Sequence, residues 1–228
     1  TQLYTTALPY AKSSLNSPNM DLAGAIFQIY DNGQYKVMAN YFKGWNMMGM
    51  NVYNFQNVVT PAGTFPAPLF NFMDVGDMTG GSLSLQVNGI GDGINDFLDD
   101  SIFFISYAFN KTDPNNVAVN EASGVMFASN NPMSGAGMLG STNSETGHSY
   151  YMGVQVPGFM AGQRLGLEYN HGSKYWRSFT YGEDTLAGSK LATRGDAYEI
   201  YYTLPLVKKN LTAQLSYIYM DYDYAGSD

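Results

Sequence analysis

The stretch "NLTAQLSYIYMDYDY", Asn210 to Tyr224, decides how the chain is read. Taken two residues apart, Leu211, Ala213, Leu215, Tyr217 and Tyr219 form one series. Thr212, Gln214 and Ser216 open the other, which turns apolar at Ile218 and Met220. A period of two marks a β-strand whose side chains point to opposite faces. In a soluble domain the apolar series faces a core. In a membrane barrel it faces lipid, and the polar series lines the interior.

Composition favours the second arrangement. The chain has 228 residues, enough for one all-β domain or barrel, and is 45% hydrophobic. Only 13% of its residues are Asp, Glu, Lys or Arg, about half the share of an ordinary soluble domain at ~25%. A surface with so few charges must use Ser, Thr, Asn, Gln and Gly, which suits an enclosed watery lumen. There is no cysteine, so disulfides, Cys-ligated zinc, iron–sulfur clusters and C-x-x-C-H haem are excluded. A net charge of −8 with no basic patch argues against nucleic acid as a partner. No run reaches the ~20 apolar residues of a membrane helix, a test that barrel strands escape by alternating. No signal peptide is visible at Thr1, where the residues already read as strand. The chain is therefore expected to begin after processing or within a longer protein.

Strand patterns recur along the sequence. They cover Leu3–Tyr10, Leu22–Tyr30, Tyr35–Trp45, Gly81–Gly89, Ser101–Asn110, His148–Pro157, Arg164–Phe179 and Asp196–Leu204, and end with the stretch quoted above. Asn32-Gly33 between two alternating runs is a hairpin signal. The connections alternate in length: Ala11–Asp21 medium, 31–34 short, 46–79 long, 90–100 short, 111–147 long, 158–163 short, 180–195 medium and 205–210 short. Tight turns on one side and long loops on the other are the habit of an outer-membrane up-and-down barrel; a Greek-key sandwich has no reason to keep that parity. Strand cores of about 9–11 residues match the span of a tilted membrane strand. The expected fold is thus an all-β, antiparallel transmembrane barrel. It is one domain over residues 1–228, with about eight or nine strands visible and the barrel incomplete at one or both ends.

Two sets of residues follow. The lipid-facing set, with tyrosines as interfacial girdles, is Tyr35, Tyr41, Leu83, Leu85, Tyr107, Phe109, Tyr169, Tyr198, Tyr202, Tyr217 and Tyr219. The pore-lining set is Lys36, Asn40, Ser84, Gln86, Asn88, Gln155, Arg164, Glu168, Glu199, Thr203, Gln214 and Ser216, joined by Gln28, Ser82, Ser106, Asn170 and Thr212. This lining is polar with scattered charges of both signs and no ring of Arg and Lys, so a weak charge preference is expected. One strand dissents: Ile102, Phe104 and Ala108 face inward, an apolar patch suited to an inward-folded loop or a partner.

Signals for chemistry are poor. No G-x-S-x-G occurs. His148 and Ser149 are neighbours, but adjacent strand residues point to opposite faces. Asp92, Asp96, Asp99 and Asp100 crowd one turn without the spacing of an EF-hand loop. Lys208 and Lys209 sit at a turn, and "GGSLS" lacks the P-loop lysine. No catalytic residue, cofactor or metal ligand is assigned, and no enzyme activity is expected.

At "NHGSKYWRSFT", "KLATRGDAYEIYYTLPL" and "LSYIYMDYDY" the chain resembles a family of porin-like outer-membrane proteins of anaerobic and microaerophilic Gram-negative bacteria. The resemblance spans Gly162 to Gly226 and implies a larger, multi-stranded barrel; it carries no catalytic residues. The missing C-terminal strand with an aromatic end departs from that pattern and fits a truncated chain. The first functional expectation is an outer-membrane channel for passive diffusion of small hydrophilic solutes, in contact with membrane lipids and lipopolysaccharide. The second is a barrel that sheathes or anchors an electron-transfer protein or surface lipoprotein. The third is a soluble, secreted β-sandwich binding carbohydrate. A homo-oligomer stays open beside these.

Overall fold

The computed structural model describes residues 19–61, 63–91, 93–115, 139, 141, 143–178, 184–185, 188–207 and 210–224. In chain order the elements are β1 (Asp21–Asp31), β2 (Tyr35–Trp45), β3 (Met48–Thr60), β4 (Gly63–Asp74), β5 (Gly76–Asn88), α1 (Asp96–Asp99), β6 (Ile102–Pro114), β7 (Thr146–Pro157), β8 (Arg164–Gly172), β9 (Asp184–Thr185), β10 (Gly188–Ser189), β11 (Gly195–Val207) and β12 (Leu211–Tyr222). One 3₁₀ turn spans Lys190–Ala192. Among the described residues no helix is long and apolar enough to cross a membrane.

Eight strands form one antiparallel sheet in the order β1-β2-β5-β6-β7-β8-β11-β12. Each pairs with its predecessor and successor once the small hairpins are set aside, which is an up-and-down meander. All eight well-marked sequence strands take part; the first, Leu3–Tyr10, lies outside the described residues. Among the described residues the sheet is not closed into a barrel, and β1 and β12 are its edges.

Three boundaries differ from expectation. Residues 46–79 hold a hairpin, β3 against β4, where a long loop was expected. Pro66 and Pro68 in β4 are both accommodated in a two-stranded ladder, where one strand edge needs no donor. β5 starts at Gly76 rather than Gly81. β8 ends at Gly172 rather than running on towards Phe179, which itself lies outside the described residues.

The chain divides into two compact units. One comprises Thr1–Ala23, Lys43–Met78 and Thr112–Ser144. Its described core is small: Met47, Val75, Met78 and Leu139 are buried. Asp74 organises it, accepting from the Gly76 amide at 2.8 Å and from Asn115 Nδ2 at 3.0 Å. The other unit comprises Gly24–Phe42, Thr79–Lys111 and Glu145–Asp228. Its β1–β2 turn follows from the sequence: Asn32 Oδ1 accepts from the Gln34 and Tyr35 amides, and Gly33 takes φ +90, a conformation that favours glycine. In the acidic turn, Asn95 caps α1 through the Leu98 amide at 2.9 Å, and Asp99 accepts from the Gly93 amide at 3.0 Å. These acidic-turn residues hold the backbone; Asp92 lies outside the described residues, as do Lys208 and Lys209.

Candidate functional site

The ladders of the second unit sort its side chains into two faces. Across β6, β7, β8, β11 and β12 the rows read Phe103, Val154, Leu167, Ile200, Tyr217 and Ile105, Met152, Tyr169, Tyr198, Tyr219 on one face. The interleaved rows on the other are Ser106, Tyr151, Asn170, Ala197, Met220, then Phe104, Gly153, Glu168, Glu199, Ile218, then Ile102, Gln155, Gly166, Tyr201, Ser216. Below them Arg164, Thr203 and Gln214 continue the polar face. The partition expected from alternation therefore holds on these strands: Tyr107, Phe109, Tyr169, Tyr198, Tyr202, Tyr217 and Tyr219 share the apolar face.

The apolar face is the open one. Leu215 is 77% exposed and Tyr217 67%, with Leu167, Tyr198, Ile200 and Tyr219 also exposed. Tyrosine rings line up along it, Tyr169 to Tyr198 at 5.1 Å and Tyr198 to Tyr219 at 6.4 Å. Towards one end, Asp196 Oδ1 accepts from Tyr169 Oη at 2.7 Å and meets His171 Nδ1 at 2.9 Å. Towards the other, Tyr202 Oη donates to Gln163 Oε1 and accepts from the Phe159 amide at 3.2 Å. Between the ends a groove of about 520 Å³ runs among Phe103, Met152, Val154, Leu167, Ile200 and Tyr217. Elsewhere in the sheet Tyr35, Tyr41 and Leu83 are exposed and Leu85 is half-buried.

Part of the polar face is covered by residues 173–178 and 188–194, which lie between β8 and β11. Two glycines make the approach feasible. A Cβ on Gly147 would collide with the Tyr175 carbonyl, and one on Gly172 with the Thr193 carbonyl. Where the side chain is missing, the covering backbone settles against the sheet. Trp176 is buried there and its Nε1 donates to the Leu191 carbonyl at 2.8 Å. Asn110 bonds both ways, its Nδ2 to the Tyr175 carbonyl at 3.2 Å and its Oδ1 from the Arg177 amide at 2.9 Å. Asn170 accepts from Ser149 Oγ at 3.0 Å and donates to the Lys190 carbonyl at 2.9 Å.

Lys190 closes the arrangement. Its ammonium reaches Glu168 Oε2 at 2.5 Å and also bonds Glu199 Oε2. Tyr151 Oη donates to the same Glu168 oxygen at 2.5 Å, and the ammonium stands 5.5 Å from the Tyr151 ring centre. Lys190 is 4% exposed and Glu199 9%. Burial pulls the Lys190 pKa down, but the hydrogen bonds to Glu168 and Glu199 outweigh it and hold the pKa above the ordinary lysine range. Two carboxylates against one ammonium leave the cluster with a net negative charge.

The expected lining residues thus part company. Glu168 and Glu199 lie on the polar face but beneath the covering chain, so they are anchors and not open lining. Gln155 bonds Tyr201 Oη at 3.1 Å, Thr203 Oγ1 bonds Gln214 at 3.4 Å, and Arg164 bonds the Asp100 carbonyl. On β2 and β5, Asn40 donates to Ser82 at 2.7 Å, Ser84 to the Met38 carbonyl at 3.4 Å and Gln86 to Asn88 at 2.8 Å. Asn40, Gln86, Gln214 and Ser216 stay exposed; Lys36, Ser84 and Asn88 are half-buried. Phe104, expected in an apolar docking patch, packs on its neighbours: its ring centre lies 4.8 Å from that of Tyr151. A Cβ on Gly153 would stand 2.7 Å from the Phe104 ring. Ser149 and His148 fall on opposite faces, as alternation requires. Lys190, Tyr151 and Trp176 went unread; the signal available was two glutamates on one face of a chain poor in cations.

A family model described as a protein of unknown function, DUF3373, matches residues 2–228. No curated protein and no solved structure matches the chain. By that match along almost its whole length, the chain belongs to the DUF3373 family of proteins of unknown function.

Proposed function

We propose that the protein is a porin-like β-barrel of the bacterial outer membrane, passing small hydrophilic solutes by passive diffusion. The observation that carries this reading is the inverted exposure of the sheet. The face built from Leu83, Leu167, Ile200, Leu215 and Tyr217 is open, while the polar face is covered in part by its own chain. Fully burying one such side chain contributes about 1.5–3 kcal/mol, and water offers these residues none of it. Lipid does. The central rows of the open face contain no Asp, Glu, Lys or Arg, which matters because a cation at a bilayer midplane costs about 2–4 kcal/mol. Tyr169 and Tyr202 bond Asp196 and Gln163 towards the two ends, amphipathic rings suited to phospholipid and lipopolysaccharide headgroups.

The polar face then lines the passage, with no reacting group required. Selectivity comes from width and from the sign of the lining. The test is single-channel recording of the full-length protein, purified in detergent and inserted into a planar bilayer. Stepwise ohmic currents with a mild preference for cations are expected. A protein that inserts and is heat-modifiable on gels, yet passes no current, would rule out the open channel.

A further inference from the structure

We propose that Lys190 is a latch that holds residues 173–178 and 188–194, between β8 and β11, against the polar face and so narrows the passage on that side. The effect on current rests on the channel reading; the latch itself does not. Three independent features converge on it. The covering segment has a seat, since Gly147 and Gly172 leave room for its backbone where any side chain would collide. It has a lock, because Lys190 bonds two strand carboxylates, one from β8 and one from β11. The lock is charge-dependent: the Glu168 and Glu199 side chains are only 11% and 8% exposed, so removing the ammonium leaves two like charges facing each other in a low-dielectric place. The neutral contacts of Trp176 and Asn170 then have to hold the segment against that repulsion.

The width of the passage on this face therefore depends on a residue outside the strands. Lys190→Met is expected to free the segment, and Lys190→Arg to keep it, because a guanidinium can also bridge two carboxylates. The experiment compares wild type, K190M and K190R of the full-length protein by two readouts. Limited chymotrypsin digestion in detergent reports cleavage beside Trp176 and Leu191, now buried and half-buried. Bilayer recording reports conductance. Expected are protection of wild type and K190R, rapid cleavage of K190M, and a conductance for K190M raised roughly twofold as the passage widens. Wild-type protection and wild-type conductance in K190M would overturn the proposal. Selective cleavage of K190M with no current from any of the three would confirm the latch and overturn the channel reading. If K190M does not reach the folded, heat-modifiable form, Glu199→Gln weakens the lock more gently; it must then be cut faster than wild type, or the latch is wrong.

Discussion

At the scale of residues, the Lys190–Glu168–Glu199 cluster dominates. A buried ion pair adds little compared with a well-packed apolar replacement, but removing one partner is costly, typically about 3–5 kcal/mol. Lys190→Met, which leaves two carboxylates without their cation, is therefore expected to destabilise the fold by about that amount, read as a shift in the denaturation midpoint of the detergent-folded protein. The pH behaviour has a definite sign. The Lys190 pKa is raised above its ordinary value of 10.5, so the ammonium's contribution is complete below that value and is lost only as pH rises through the higher one. The stability gap between wild type and K190M is expected to stay flat from about pH 8 to about pH 10. A gap that closes within that window would mean that Lys190 is not held by its two carboxylates. None of this cluster beyond the two glutamates was legible in the sequence. Alternation placed Glu168 and Glu199 on the polar face, but the cation that meets them comes from a connection whose return is a long-range event.

At the scale of elements, the eight sheet strands were legible because alternation and turn chemistry are local. The Asn32-Gly33 turn formed where it was read, and Gly33→Ala is expected to cost about 1 kcal/mol through its positive φ, measurable by the same denaturation. The β3–β4 hairpin was not legible. Its prolines mimic loop chemistry, and only pairing with a partner strand reveals that their missing donors are not needed. Glycines in strands were equally silent, because what they admit lies far away in sequence. Gly172→Val is expected to lift the covering segment from the sheet, exposing Trp176 to solvent with a red shift in its emission; an unchanged spectrum would show that the close approach to Thr193 can be relieved locally.

At the scale of the whole molecule, a channel requires that the apolar face of the sheet meet lipid. The chain has no cysteine, so single cysteines can be placed and labelled without background. Leu83 and Ser84 are neighbours in β5 and point to opposite faces. The most direct measurement is spin-label collision accessibility of L83C and S84C, in the full-length protein reconstituted into lipid vesicles. The label at Leu83 is expected to collide with oxygen dissolved in the bilayer and to be shielded from a water-soluble nickel reagent, with the reverse at Ser84. Both labels meeting the nickel reagent, or the two patterns exchanged, would contradict this and return the apolar face to the inside of a soluble protein.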